Sequence, residues 1–166
     1  FGYIGGGWTG SDSSSMDKLT YSTDTTASAP TGANLSAPRR VLAATGPRIN
    51  GYGTSPIPNP STIRYIDGAG PTPNTGYFGG GNVNGSRMDK INFTSDTTEY
   101  TPSANLTSTR YALGATENNT HGYFGGGGYP LETTMDKLTF ASDTTAAAPG
   151  ANLTAARAYL AATGNQ

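Results

Sequence analysis

The chain has no cysteine and a single histidine, His121. The first absence excludes a disulfide framework and a Cys-based zinc site. The second leaves His121, set between Thr120 and Gly122, without companions for a His-rich metal centre. Charge is sparse too: 10 Lys+Arg against 11 Asp+Glu give a formal net charge of −1. A nucleic-acid surface needs clustered basic residues, so that class is set aside. No apolar run approaches the roughly 18 residues of a membrane-spanning helix. Leu, Ile, Val and Phe supply only 22 of 166 residues, less than the ~20% that ordinary globular cores carry. The chain opens Phe1-Gly2-Tyr3, with neither initiator Met nor signal peptide, and reads as a processed or partial chain.

What is abundant is Gly, Ser, Thr, Asn and Pro, together just over half of the residues. Composition alone would suggest disorder. Low net charge opposes that reading, and so does periodicity, the signature of repeat architectures. Three segments share one plan. GYIGGG at 2–7, MDKLTY at 16–21 and ANLSAPRRVLAATG at 33–46 form the first. GYFGGG at 76–81, MDKINF at 88–93 and ANLTSTRYALGATE at 104–117 form the second. GYFGGG at 122–127, MDKLTF at 135–140 and ANLTAARAYLAATG at 151–164 form the third. Met88 to Met135 is 47 residues, as is Leu106 to Leu153.

Residue types assign the elements. Tyr-Phe before a glycine run gives a short aromatic strand ending where only glycine fits. MDKLTF alternates in the period of a half-buried strand. Ser-Asp-Thr-Thr is turn chemistry, and 97–102 forms a further strand stopped by Pro102. Ala-Asn-Leu-Thr is a connector, and 111–116 is either a helical turn or a strand, with repeat length favouring the strand. Four short strands in about 47 residues is the pattern of a β-propeller blade. A damaged fourth copy is expected at 51–75, with Gly51-Tyr52-Gly53 and STIRYI at 61–66 standing for its first elements. Met16 to Met88 is 72 residues where two periods need 94, so about 22 are absent, near Gly68-Ala69. The organisation is one repeat domain over 1–166, divided at roughly 2–50, 51–75, 76–121 and 122–166.

These residues resemble the kelch repeat. That family runs from Arg through a short strand, an aromatic strand ending in Gly-Gly, a strand ending near Tyr and a turn back to Arg. Arg110, residues 111–116, Tyr123-Phe124-Gly125-Gly126, residues 135–140 and Arg157 fall in that order. The Trp that the family places six residues after the Tyr is replaced by Ala27, Glu99 and Ala146. The dialect GYFGGG…MDKLTF…SDTT…ANL is similar to kelch-like repeats of marine bacteriophage and cyanophage virion proteins. The resemblance implies an all-β, kelch-like propeller of about four blades, one incomplete, or a segment of a larger propeller. If the ring is small, residues 157–163 sit beside residues 2–7; the plainer reading, which is favoured, is a slice of a longer propeller.

Candidate chemistry resolves residue by residue. In Asp17-Lys18, Asp89-Lys90 and Asp136-Lys137, strand neighbours point to opposite faces, so the pairs read as structural or solvated and not as acid/base dyads. Asp24, Asp96 and Asp143 offer one carboxylate each, too few for calcium, and read as turn residues. The recurrent Arg (Arg39 or Arg40, then Arg110 and Arg157) is expected to bridge neighbouring blades through carbonyls or an Asp, with a ligand in the central channel as the alternative. The glycine runs lack the P-loop pattern. Asn34, Asn105 and Asn152, in Asn-Leu-Ser/Thr sequons, read as turn residues first.

Length variation between repeats falls in one loop of each. Tyr-to-Met spacing across that loop is 13, 11 and 12 residues. Such loops carry function on a rigid scaffold, and Trp, Tyr and Arg are common interface anchors. The expected partner-binding residues are therefore Trp8, Asn82, Asn84, Arg87 and Tyr129, gathered on one rim. No catalytic residue, metal or cofactor is expected. The function expected is structural or binding: a phage virion protein of tail or fibre, outside the cell, contacting host-surface glycan or protein and other virion proteins. A homo-oligomer or a place in a larger assembly is expected too. The alternatives are a secreted bacterial surface adhesin and a secreted carbohydrate-active enzyme, which would need paired acids around a central pocket.

Overall fold

The computed structural model describes residues 2–46, 74–128 and 130–164. They are all-β: three antiparallel sheets and three single-turn 3-10 segments, with no α-helix among the described residues. The first sheet holds β1 (Gly2–Gly5), β2 (Met16–Thr20) and β3 (Thr25–Ser28), in that order. The second holds β4 (Ala43–Thr45), β5 (Thr75–Gly79), β6 (Met88–Asn92) and β7 (Thr97–Tyr100). The third holds β8 (Gly114–Glu117), β9 (His121–Gly125), β10 (Met135–Thr139) and β11 (Thr144–Ala147). The glycine strand and the Met-Asp-Lys strand are neighbours each time, as in Tyr77 opposite Lys90 and Phe78 opposite Asp89.

Local chemistry accounts for these elements. Asp24, Asp96 and Asp143 sit in the β2–β3, β6–β7 and β10–β11 turns with φ of 51°, 52° and 52°, a left-handed conformation that Asp tolerates. The sequon residues reach back to the start of the Met-Asp-Lys strand of their own repeat: Asn34, Asn105 and Asn152 accept from the backbone N–H of Met16, Met88 and Met135. A 3-10 turn precedes each Asn, and two of the three carry Pro at its start, Pro102 and Pro149. The stretch 111–116 splits: Ala112 turns left-handed and β8 begins at Gly114.

One set of contacts joins the first sheet to the second and, again, the second to the third. Arg39 reaches out of the first repeat and pairs with Asp89 at 2.6 Å, both side chains fully buried. Asp89 also accepts from the Ser36 N–H and hydroxyl, while Arg39 donates to the carbonyls of Arg87 and Gly80. Arg110, Asp136 and Thr107 repeat this arrangement one sheet on. On the same junctions Tyr3 and Lys18 both reach Asp96, and Tyr77 and Lys90 both reach Asp143. Tyr3 stacks on Phe93 at 5.4 Å, and Tyr77 on Phe140 at 5.6 Å. Beneath lie two apolar clusters, one around Met16, Leu35, Phe78 and Ile91, the other around Met88, Leu106, Phe124 and Leu138. The core thus lies between sheets, which is how so few large apolar residues suffice.

Arg39 and Arg110 are accordingly bridges between sheets through an Asp and carbonyls, and Arg39, not Arg40, has that place in the first repeat; the third member, Arg157, is exposed and makes no such bridge among the described residues. The expected fourth copy falls on 51–75, almost wholly outside the described residues, as does the shortfall near Gly68-Ala69. The described residues show that β4 pairs with β5 directly, Thr45 opposite Tyr77, so the first and second full repeats make consecutive sheets. Residues 157–163 are not paired with residues 2–7, because among the described strands β1 bonds to β2 alone. Three sheets in succession are present among the described residues, and they do not form a closed ring. Where kelch carries Trp, Glu99 and Ala146 lie on the outermost strands β7 and β11 and Ala27 on β3, whose four residues are all exposed.

Candidate binding site on the loop rim

The three loops of variable length are anchored in the same way where they leave the sheets. Gly7, Gly81 and Gly127 donate their N–H groups to the carbonyls of Arg39, Arg110 and Arg157 at 2.8, 3.0 and 2.8 Å. The residue just before each must be glycine. At Gly80, φ is +79° and a Cβ would fall 2.9 Å from the Arg110 carbonyl oxygen and 2.5 Å from Leu113. The glycine run is therefore a close backbone crossing, with its N–H groups committed to carbonyls.

The first two loops meet. Trp8 stands 59% exposed, with the Arg40 guanidinium 4.3 Å from its ring centroid. Asp12, from the same loop as Trp8, holds Arg40 at 3.4 Å and accepts from the Asn82 side-chain amide at 3.1 Å. Asn82 also donates its backbone N–H to the Arg40 carbonyl and accepts from the Arg40 N–H through its side-chain oxygen. Trp8, Asp12, Arg40 and Asn82 thus form one braced cluster at the junction of two repeats. Val83 and Leu131 are exposed on the second and third loops.

Of the expected site residues, Trp8 and Asn82 come together. Asn84 is exposed and left-handed, with φ 54°, in the turn where its carbonyl accepts from the Arg87 N–H. Arg87 is drawn away from the rim: it donates to Ser36, lies 3.6 Å from Asp89 and packs over the Tyr100 ring at 3.7 Å. Tyr129 lies outside the described residues. Asp12 and Arg40 are site residues that the sequence reading missed. The doublet Arg39-Arg40 was the available signal, since one bridging role leaves the second Arg unemployed.

Toward the opposite ends of the strands lies a cleft of about 290 Å³ lined by Tyr3, Thr45, Tyr77, Thr116, Glu117 and Thr163, among others. Thr45 donates to Glu117 at 2.9 Å, and the buried Thr116 hydroxyl has no partner. Burial first, then the bond to Asp143, pushes the Tyr77 phenol far above its ordinary value, so it is a donor and not a base. His121 shares a hydrogen bond between its Nδ1 and the Thr120 hydroxyl, and burial and then Lys137 hold it below its ordinary value. Among the described residues no three His, Asp or Glu side chains converge as metal ligands. No protein-family model matches the chain, and no curated protein matches it.

Proposed function

We propose that this chain is a non-enzymatic binding module, a kelch-like propeller segment whose loop rim engages a glycan-bearing cell surface. The observation carrying this reading is the Trp8 cluster. A ring this exposed loses little hydration when covered unless something flat and partly apolar covers it, and the face of a sugar ring does so. Arg40 and Asp12 fix the indole beforehand, so binding costs less ordering than it would for a mobile loop. Asn82 supplies an amide for hydroxyl groups beside the ring. The virion setting, tail or fibre, rests on the wording of the repeats and belongs to the same reading.

Trp8 is the only tryptophan in the chain, so its emission reports the rim directly. Titrating the protein with cell-surface glycans picked from an array should shift or quench that emission. Trp8→Ala should reduce array binding at least about tenfold. Glycan binding at full strength by Trp8→Ala, with no change in emission of the natural sequence, would sink the assignment.

A further inference from the structure

We infer that the rim site selects an anionic sugar, one whose carboxylate or sulfate group docks on the Arg40 guanidinium while its ring covers Trp8. This selectivity rests on the glycan reading of the rim and deepens it. What points to it is the unused edge of Arg40. The Nε side is occupied, because Asp12 lies 3.4 Å from Nε. One face of the group is occupied too, since it lies over the Trp8 ring at 4.3 Å from the centroid. The two terminal nitrogens, Nη1 and Nη2, donate no hydrogen bond to any described residue, and the side chain is 39% exposed.

That edge is held in place. The Asn82 side chain accepts from the Arg40 backbone N–H at 3.2 Å, and the Asn82 backbone N–H donates to the Arg40 carbonyl at 3.2 Å. Asp12 is braced in turn by the Asn82 side-chain amide. A planar fork with two free donors matches an oxyanion that presents two oxygens, and such charge-assisted pairs are stronger than neutral ones. The stack on Trp8 and the contact with Asp12 have already cost Arg40 part of its freedom, so capturing an anion orders it little further. Asp12 offsets the charge of Arg40 in part. It does so from the Nε side, with its other oxygen engaged by Asn82, and the terminal edge stays open to the anion.

The arrangement occurs once among the three full repeats. Tyr111 and Ala158 stand where Arg40 stands, and Asn82 and Gly128 follow the glycine run where Trp8 does. Trp8, Asp12, Arg40 and Asn82 all lie at the internal junction of the first two repeats. Neither neighbouring arginine competes for the anion: Arg39 is buried against Asp89, and Arg87 lies against Ser36 and Tyr100. The cluster therefore offers a single anion seat beside a single aromatic face.

The probe is a glycan array that carries each oligosaccharide in neutral, carboxylated and sulfated forms, read with the whole chain. The natural sequence should hold a charged form at least about tenfold more tightly than its neutral parent. Comparing the carboxylated form with the sulfated one then identifies the anion. Arg40→Gln should abolish the preference for charge, and Arg40→Lys, which keeps the charge and loses the fork, should retain only part of it. Asp12→Asn removes the offsetting carboxylate and should raise the preference about threefold. Circular dichroism checks that the variants keep their β content. A rise in Asp12→Asn has the opposite sign to a loss of fold, so it tests the site even if Arg40→Gln does not fold. Equal binding of charged and neutral forms by the natural sequence overturns the inference and leaves the glycan reading standing, as does a preference undiminished in Arg40→Gln. Binding of no form at all, with Trp8 emission unmoved, removes both.

Discussion

The Arg39–Asp89 and Arg110–Asp136 pairs show how a chain poor in apolar residues fixes the spacing of its sheets. Burial drives the Arg39 guanidinium below its ordinary value, and Asp89 opposes the shift. Two Asp89 hydrogen bonds from Ser36 and the Arg39 bonds to carbonyls complete the network. A buried pair stabilises little against an apolar replacement, whereas removing one partner strands a charge. Arg110→Met should therefore destabilise the chain by about 3–5 kcal/mol. Arg110→Met combined with Asp136→Leu should cost less than the single change. Urea melts of both variants check this; a double variant worse than the single would show that the pair itself stabilises.

The Tyr3–Lys18–Asp96 junction is half-exposed and titrates differently. The hydrogen bond from Lys18, then that from Tyr3, holds Asp96 below its ordinary 3.8. The bond to Asp96 raises Lys18 above its ordinary 10.5. A depressed carboxylate contributes stability that is present above its unfolded value and lost as pH falls through the folded one. A raised Lys contributes stability that is present below 10.5 and lost as pH rises through its folded value. The junction is thus strongest between those limits. Asp96→Asn should flatten the acid limb of the stability curve below the ordinary 3.8 of an Asp, by under about 1 kcal/mol given the exposure. An acid limb identical in the variant would remove Asp96 from this role.

At the scale of elements, the glycine runs decide how strands end. Gly80→Ala places a Cβ against the Arg110 carbonyl and Leu113 in a left-handed conformation. It should cost about 2–4 kcal/mol, backbone strain plus overpacking. Gly7, with φ +110°, has open space around its missing Cβ, so Gly7→Ala should cost only the backbone part, about 1–2 kcal/mol. Val41 offers the opposite sign. It is β-branched at φ 56°, where its repeat equivalent is Ala112. Val41→Gly should stabilise by up to about 1 kcal/mol, strain relieved less the entropy of glycine. Thermal melts should rank the three variants in that order, Gly80→Ala lowest and Val41→Gly highest.

Strands of this kind were legible because alternation and glycine punctuation are local. MDKLTF shows its own period, and SDTT its own turn. The partners were not local. Nothing in the neighbourhood of Asp89 announces Arg39, 50 residues upstream, and only the stacking of consecutive sheets brings them together. The same holds for the rim. Trp8 is conspicuous as the lone tryptophan, but Arg40 is assigned to it only once Arg39 is seen turned inward. Arg87 has the composition of an anchor and is diverted by Ser36, Asp89 and Tyr100, three contacts from two repeats that no spacing encodes.

For the molecule as a whole, the sheet pairing changes the arithmetic of the repeat. Thr45 lies opposite Tyr77 in the second sheet, and Thr116 opposite Tyr123 in the third. The intervening stretches are 46–76 and 117–122, a difference of 25 residues. Met16 to Met88, 72 residues, is therefore one 47-residue period plus those 25, and the surplus sits inside the β4–β5 connection. The Arg–Asp pair, the Tyr–Lys–Asp contact and the ring stack of the first junction recur at the next, where the connection is short, so they do not depend on the surplus. Replacing residues 46–76 with the sequence of 117–122, Glu-Asn-Asn-Thr-His-Gly, should leave all three sheets in place. Shortening the connection by more than two doublings should raise stability by about 1 kcal/mol, or a few degrees in Tm. The chimera should keep the natural circular dichroism spectrum and the protection of β5 amides from exchange. A lower Tm or unprotected β5 amides would mean that residues 46–76 help to hold the second sheet, and the one-period-plus-insertion account would fail.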